Sequence, residues 1–147
     1  MAHAQQQVLN ALQALLAGGG TVAGTRVFLD RVDPLQPDEL PAILIEEDGD
    51  GESSEPYTIS SLDARELGVQ VSCVLAHSTT AAADARAFGL AVEKLIAPST
   101  ALAAIAKRGV RITGSRQDNS GEGDRLLATR VQAWRFARGG GNAKPVE

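Results

Sequence analysis

Cysteine is nearly absent from this sequence: Cys73 is the single one among 147 residues. No internal disulfide can form, and both a secreted disulfide scaffold and a CxxC metal knuckle are excluded. Histidine is almost as scarce, with only His3 and His77, which leaves little material for a zinc site or a second catalytic base. Aromatic residues make up 3% of the chain. Phe28, Tyr57, Phe88, Trp134 and Phe136 are scattered through segments that read as core, so they form no stacking platform for single-stranded nucleic acid. There is no basic surplus either, since 14 basic and 18 acidic residues give a net charge of −4; general adhesion to nucleic acid through a basic surface is disfavoured. No run approaches the roughly 18 apolar residues of a membrane span. The apolar stretch 8–16 is interrupted by Asn10 and Gln13 and lacks a basic flank, so it does not read as a signal peptide. The expectation is a protein made and kept in water, with one domain over 1–138 and a flexible glycine-rich tail over 139–147.

What the chain does have is acid concentrated in one place. Glu46, Glu47, Asp48, Asp50, Glu52 and Glu55 put six carboxylates and no cation into ten residues, leaving 12 acids against 14 bases elsewhere. The series Asp48-Gly49-Asp50-Gly51-Glu52 suggests a calcium loop, but the EF-hand register fails. With Asp48 first, Ser53 falls where glycine is needed and Ile59 where the bidentate glutamate belongs. The segment 48–56 reads as a solvated polar loop, too charged to pack, and the stretch 46–55 as mobile in a free subunit, ordered, if at all, only when a neighbouring subunit or a tube protein supplies cations. Arginine concentrates in the C-terminal third, at 108, 111, 116, 125, 130, 135 and 138. Arg116, Arg125, Arg130 and Arg135 are the candidate partner contacts, for phosphate or for an acidic surface such as that segment in another copy.

Periodicity supplies the elements. Val8, Leu9, Leu12, Leu15 and Leu16 recur at helical spacing over 4–17, and Gly18, Gly19 and Gly20 stop the helix. Residues 25–29 read as a strand, Asp33-Pro34 and Gln36-Pro37 as turns, and 42–46 as a strand covered on both faces. Leu67, Val69, Val71, Cys73 and Leu75 alternate with Gly68, Gln70 and Ser72, the period of a half-buried strand, and 57–61 reads as a strand leading into it. Ser78, Thr79 and Thr80 offer caps to a second helix reaching Ile96, with Phe88, Val92 and Leu95 facing the sheet. A further helical turn is available over 101–107. Residues 110–117 and 125–136 read as a hairpin joined by a flexible 118–124. The predicted fold is α+β: an antiparallel or mixed sheet with two main helices packed on one face.

Catalytic constellations fail on geometry. Cys73 and His77 on one extended strand would lie about 13 Å apart at roughly 3.3 Å per residue, beyond hydrogen-bond reach. No serine sits in G-x-S-x-G. Gly18-Gly19-Gly20-Thr21 leads out of a helix, whereas a phosphate loop leads into one.

Several segments together carry a resemblance: Val27-Phe28-Leu29 with Arg31-Val32-Asp33-Pro34, the run Glu39-Leu40-Pro41-Ala42-Ile43-Leu44-Ile45-Glu46-Glu47-Asp48, the strand 67–75, Val92-Glu93-Lys94-Leu95, and 125–136. In layout and size the chain, up to about Ala137, resembles the tail terminator family of long-tailed phages. The resemblance implies a structural virion protein and no enzyme, cofactor, metal or membrane. It implies a hexameric ring, assembled in the host cytoplasm, at the head-proximal end of the tail. There the ring would stop tube polymerisation, bind the tube protein on one side and a neck protein on the other, and pass DNA through its lumen without specific binding. The acidic segment, placed near that lumen, would repel the passing DNA. Competing readings are another head-tail connector and a small cytosolic ligand-binding domain or enzyme.

Overall fold

The computed structural model describes residues 4–56, 63–76, 78–120 and 127–138, with 4, 48–56, 63–65, 119–120 and 138 described by backbone alone. In chain order the elements are α1 (Ala4–Ala17), β1 (Val27–Leu29), β2 (Ala42–Pro56), β3 (Asp63–Ala76), α2 (Ala81–Ile96), α3 (Thr100–Ile105), β4 (Gly109–Ser120) and β5 (Leu127–Arg138). A single 3-10 turn, Pro37–Glu39, interrupts the connection before β2. The strands form one mixed sheet in the order β1-β2-β3-β5-β4. β1 runs parallel to β2 and every other pair is antiparallel.

Alternation along the strands decides what each face does. In β3, Leu67, Val69, Val71 and Cys73 point to the helices, opposite Phe136, Trp134, Gln132 and Arg130 of β5. They join Val8, Leu12 and Leu16 of α1, Phe88, Val92 and Ile96 of α2, and Leu102 of α3 in one buried cluster. Each fully buried large apolar side chain there is worth about 1.5–3 kcal/mol. All three helices therefore cover one face. The helical stop after α1 has two parts: Gly20 takes the left-handed conformation at φ 73°, and Gly19 lies so close to the Leu95 side chain that a Cβ would collide with it.

Several expectations change in detail. The extra turn is a helix, α3, capped by the Ser99 hydroxyl accepting from the Leu102 amide at 3.2 Å. The Thr80 hydroxyl instead donates to Asp84 Oδ2 at 2.9 Å and caps no backbone amide. Within α2 the deep anchor after Val92 is Ile96, at 0% exposure, and Leu95 is half-buried against Gly19. The largest correction concerns 48–56, which is not a loop. It continues β2, with residues 52–56 pairing with residues 63–67 of β3. A ladder is made of backbone hydrogen bonds, so it tolerates side chains that no core would accept. Residues 48–51 are the irregular part, four residues inserted opposite Gly68 between the pairs Glu47↔Val69 and Glu52↔Leu67. Similarly, Asp118 belongs to β4, paired with Thr129. Residues 57–61, 121–124 and 139–147, read above as strand, flexible connection and tail, and the first two residues of the strand read over 125–136, lie outside the described residues.

Candidate assembly surfaces

The helix-free face of the sheet carries Leu44, Ser72, Val74, Thr129 and Val131, and these floor a groove of about 560 Å³. Residues 31–37 wall it on one side, Arg116 and Asp118 on the other. The wall is held from within. Arg31 meets Glu39 in a two-pronged ion pair at 2.7 Å for each contact, donates to the Asp33 and Pro34 carbonyls at 3.0 and 3.2 Å, and lies 4.6 Å over the Phe28 ring. Glu39 also accepts from the Gln36 amide at 2.8 Å. Its hydrogen bonds to Arg31 and then to that amide hold its carboxyl below the usual carboxylate range, and the same pairing raises the Arg31 guanidinium. Sequence reasoning saw two proline turns here and missed the groove they enclose. A second hollow, of about 330 Å³, lies between α2 and the start of β2, lined by Val22, Pro41, Leu75, Ala87, Phe88 and Ala91, with Asp84 at its edge.

The candidate arginines are not brought together. Arg116 is exposed at the groove rim. Arg135, on the same open face but farther along β5, stands 4.0 Å from Glu66, which also binds Arg111 at 3.0 Å. Arg130 lies on the opposite face, its stem against Gly89 of α2. Arg125 is outside the described residues. Among the acids, Glu46 and Glu47 are exposed, and Gln70 donates to Glu46 at 3.4 Å. Asp48, Asp50, Glu52 and Glu55 are placed by the strand backbone alone, and their side chains lie outside the description. Register still places them: residues 48–51 share a row, across Gly68, with Arg135 and Arg111.

Cys73 is fully buried, and burial pushes its thiol up to about 12, against a smaller opposing pull from Arg130. A thiol so placed stays protonated at neutral pH and is a packing group. His77 and His3 are outside the described residues. Among the described residues no group of three or more histidine, cysteine, aspartate or glutamate side chains could hold a metal, and no helix is long and apolar enough to cross a membrane.

A buried polar pair escaped sequence reasoning. Gln132, 1% exposed, donates to the Gly89 carbonyl at 2.8 Å and accepts from the Trp134 indole at 2.9 Å, tying α2 to β5. Nearby, both side-chain atoms of Gln117 are buried without a partner.

No family model matches the chain, and no curated protein matches it. Among solved structures it is similar to a chain of the virion of a native gene transfer agent particle, with 17% identity, 90% of each chain covered and a TM-score of 0.43.

Proposed function

We propose that this chain is a structural virion protein, a tail terminator that closes into a ring on the head-proximal end of a phage tail tube, stops the tube from growing and presents a joining surface to the head. The observation that carries the reading is a sheet with two open edges pointing in opposite directions. β4 pairs only with β5, and β2 beyond Ile45 pairs only with β3, among the described residues. Unpaired strand edges are ready-made pairing surfaces. When one edge of a subunit meets the other edge of the next, the contact is heterologous, and it either closes into a ring or runs on as a filament. The sequence resemblance supplies the biological setting. Catalysis has no part in this reading, and the burial of the Cys73 thiol in the core agrees with that. DNA would pass the ring without specific contacts.

The test is loss of the chain during phage assembly. A terminator's absence gives overlong tail tubes without heads. Tails of normal length that fail to join heads would point to a neck connector, the second reading. The groove of about 560 Å³ falls within the roughly 300–1,000 Å³ range of small-molecule sites, which keeps a ligand-binding domain in view. A protein that stays monomeric beside purified tubes and gains thermal stability from a small metabolite would favour that third reading.

A further inference from the structure

Resting on the ring reading, the strand register says which surfaces meet. β4 is antiparallel to β5, β5 to β3 and β3 to β2, so β4 runs antiparallel to β2 within one subunit. A second copy set beside the first in the same orientation therefore offers its β4 antiparallel to the free edge of β2, the more stable ladder geometry.

The two edges carry opposite charge. Residues 46–55 hold six carboxylates and no cation, whereas residues 107–116 hold Lys107, Arg108, Arg111 and Arg116 and no acid. They also lie at the same height in the sheet. Following the ladders across, Gly114 shares a row with Glu46, Ile112 with Glu47, Arg111 with the inserted 48–51, and Gly109 with Ser53. β1 covers β2 only at Ile43, Leu44 and Ile45, so the covered part is level with Arg116 and the free part with Arg111, while Lys107 and Arg108 lead into β4 just before its first pair, Gly109↔Ala137. Lys107, Arg108 and Arg111 are all exposed, Arg111 still at 61% while bound to Glu66.

We propose that the acidic free edge of β2 in one copy pairs antiparallel with the basic edge of β4 in the next, the two charged stretches neutralising one another. Charge at a strand edge commonly serves to prevent sheet-to-sheet sticking. Two like-charged edges would repel every copy. Opposite edges repel only β2 from β2 and β4 from β4, the two symmetric pairings that would end in a dimer, and favour the head-to-tail pairing that a ring requires. The bulge at Thr113, between the pairs formed by Ile112 and Gly114, and the insertion at 48–51 restrict the register in which the edges fit.

The test is sedimentation and native mass measurement against sodium chloride concentration. Wild type should self-associate more weakly as salt rises, because screening shortens from about 10 Å at 0.1 M to about 3 Å at 1 M. Either reversed edge, Glu47→Lys with Glu52→Lys or Lys107→Glu with Arg111→Glu, should raise the half-assembly concentration at least about tenfold. Combining all four reversals should return it to within about threefold of wild type, and a misfolded edge could not be rescued in this way. The neutral pair Glu47→Gln and Glu52→Gln should flatten the salt dependence. Wild-type protein that fails to associate up to about 1 mM at low salt, both alone and beside purified tail tubes, overturns the ring reading and this pairing together. A wild type that assembles while both reversals assemble equally well, or while the neutral pair keeps the full salt dependence, overturns the pairing and leaves the ring reading standing.

Discussion

Removing the Gln132 side-chain amide is a sharp test of how the helix layer is held to the sheet. Gln132→Leu keeps the volume nearly constant, so its cost comes from two lost hydrogen bonds. The Trp134 indole N–H, on a residue 1% exposed, loses its acceptor and has no water to replace it. Such an orphaned buried donor costs about 1–3 kcal/mol. The Gly89 carbonyl keeps its helical partner within α2 and loses only the additional bond, a net of about 0.5–1.5 kcal/mol. Burying the leucine methyls offsets about 1 kcal/mol. The balance is a destabilisation of about 0.5–3.5 kcal/mol, a fall in melting temperature of about 2–4 °C for each kcal/mol in a domain of this size.

Trp134 is the only tryptophan, so its emission follows the perturbed site directly during denaturant unfolding. Pairing Gln132→Leu with Trp134→Phe, which removes the donor, should recover about 1 kcal/mol of coupling in a double-mutant cycle. A cost for Gln132→Leu below about 0.5 kcal/mol, or a coupling near zero, would refute the assignment of these two bonds as the link between α2 and β5. Because the pair is uncharged and faces the helix layer, although β5 is only one strand from the β4 edge, the variant's assembly should keep the wild-type salt dependence.

Other consequences are simpler. Gln117→Met removes two buried amide atoms that have no partner and should stabilise the fold by about 1 kcal/mol in chemical melts; a loss instead would mean that the amide has an unseen partner. Ile96→Ala should cost about 2–5 kcal/mol and the half-buried Leu95→Ala less, with equal losses counting against the packing described for α2. The Cys73 thiol is raised in the folded state, so its contribution is fully present below the unfolded value of about 8.5 and is lost as pH rises from there toward about 12. Stability should fall by about 1.4 kcal/mol per pH unit above about 8.5 and Cys73→Val should lose that slope, measured by denaturant melts at pH 8 and 10. Glu39 is shifted the other way: its contribution is present above the ordinary carboxylate value and disappears as pH falls through its lowered one. Acid should therefore loosen the 31–40 wall, and Glu39→Gln should make backbone amide exchange there independent of pH between about 5 and 3 once the intrinsic exchange rate is corrected for.

The sequence was most legible where side-chain pattern and burial coincide. The alternation of Leu67, Val69, Val71, Cys73 and Leu75 gives β3 its inward face, and Val8, Leu12 and Leu16 give α1 its stripe. The same parity would have separated the arginines. Arg130 is in step with Gln132, Trp134 and Phe136, hence on the helix side, and Arg135 is out of step. It would also have turned Gln132 inward, two residues before a buried tryptophan, had a polar side chain been allowed as a core member. The strand over 48–56 was not legible in this way. Its carboxylates report that no core lies beneath them, but they carry no information about whether the backbone beside β3 is paired. Residues 31–40 hid for a related reason: Asp33-Pro34 and Gln36-Pro37 specify turns, whereas the wall they make depends on Arg31 reaching Glu39, a contact without periodic signature.

The choice between the groove and the edges as the working surface can be argued from burial. The groove floor is already shielded before anything enters it, with Val74 at 3%, Val131 at 4% and Ser72 at 7% exposure. An occupant would remove little further apolar area from water there, and at about 25 cal/mol per Å² a gain confined to the rim supplies little affinity. The rim's most exposed apolar residue, Val32 at 94%, projects beyond the floor and could be covered by a neighbour without the groove being filled. The edges differ in kind. Their outward backbone groups are solvated donors and acceptors that a second strand can satisfy in full, and their charges are of opposite sign at matching heights, so association releases both the ladder and the electrostatic term. With the helix face committed to the core, the edges are where this fold has most to gain from another copy of itself.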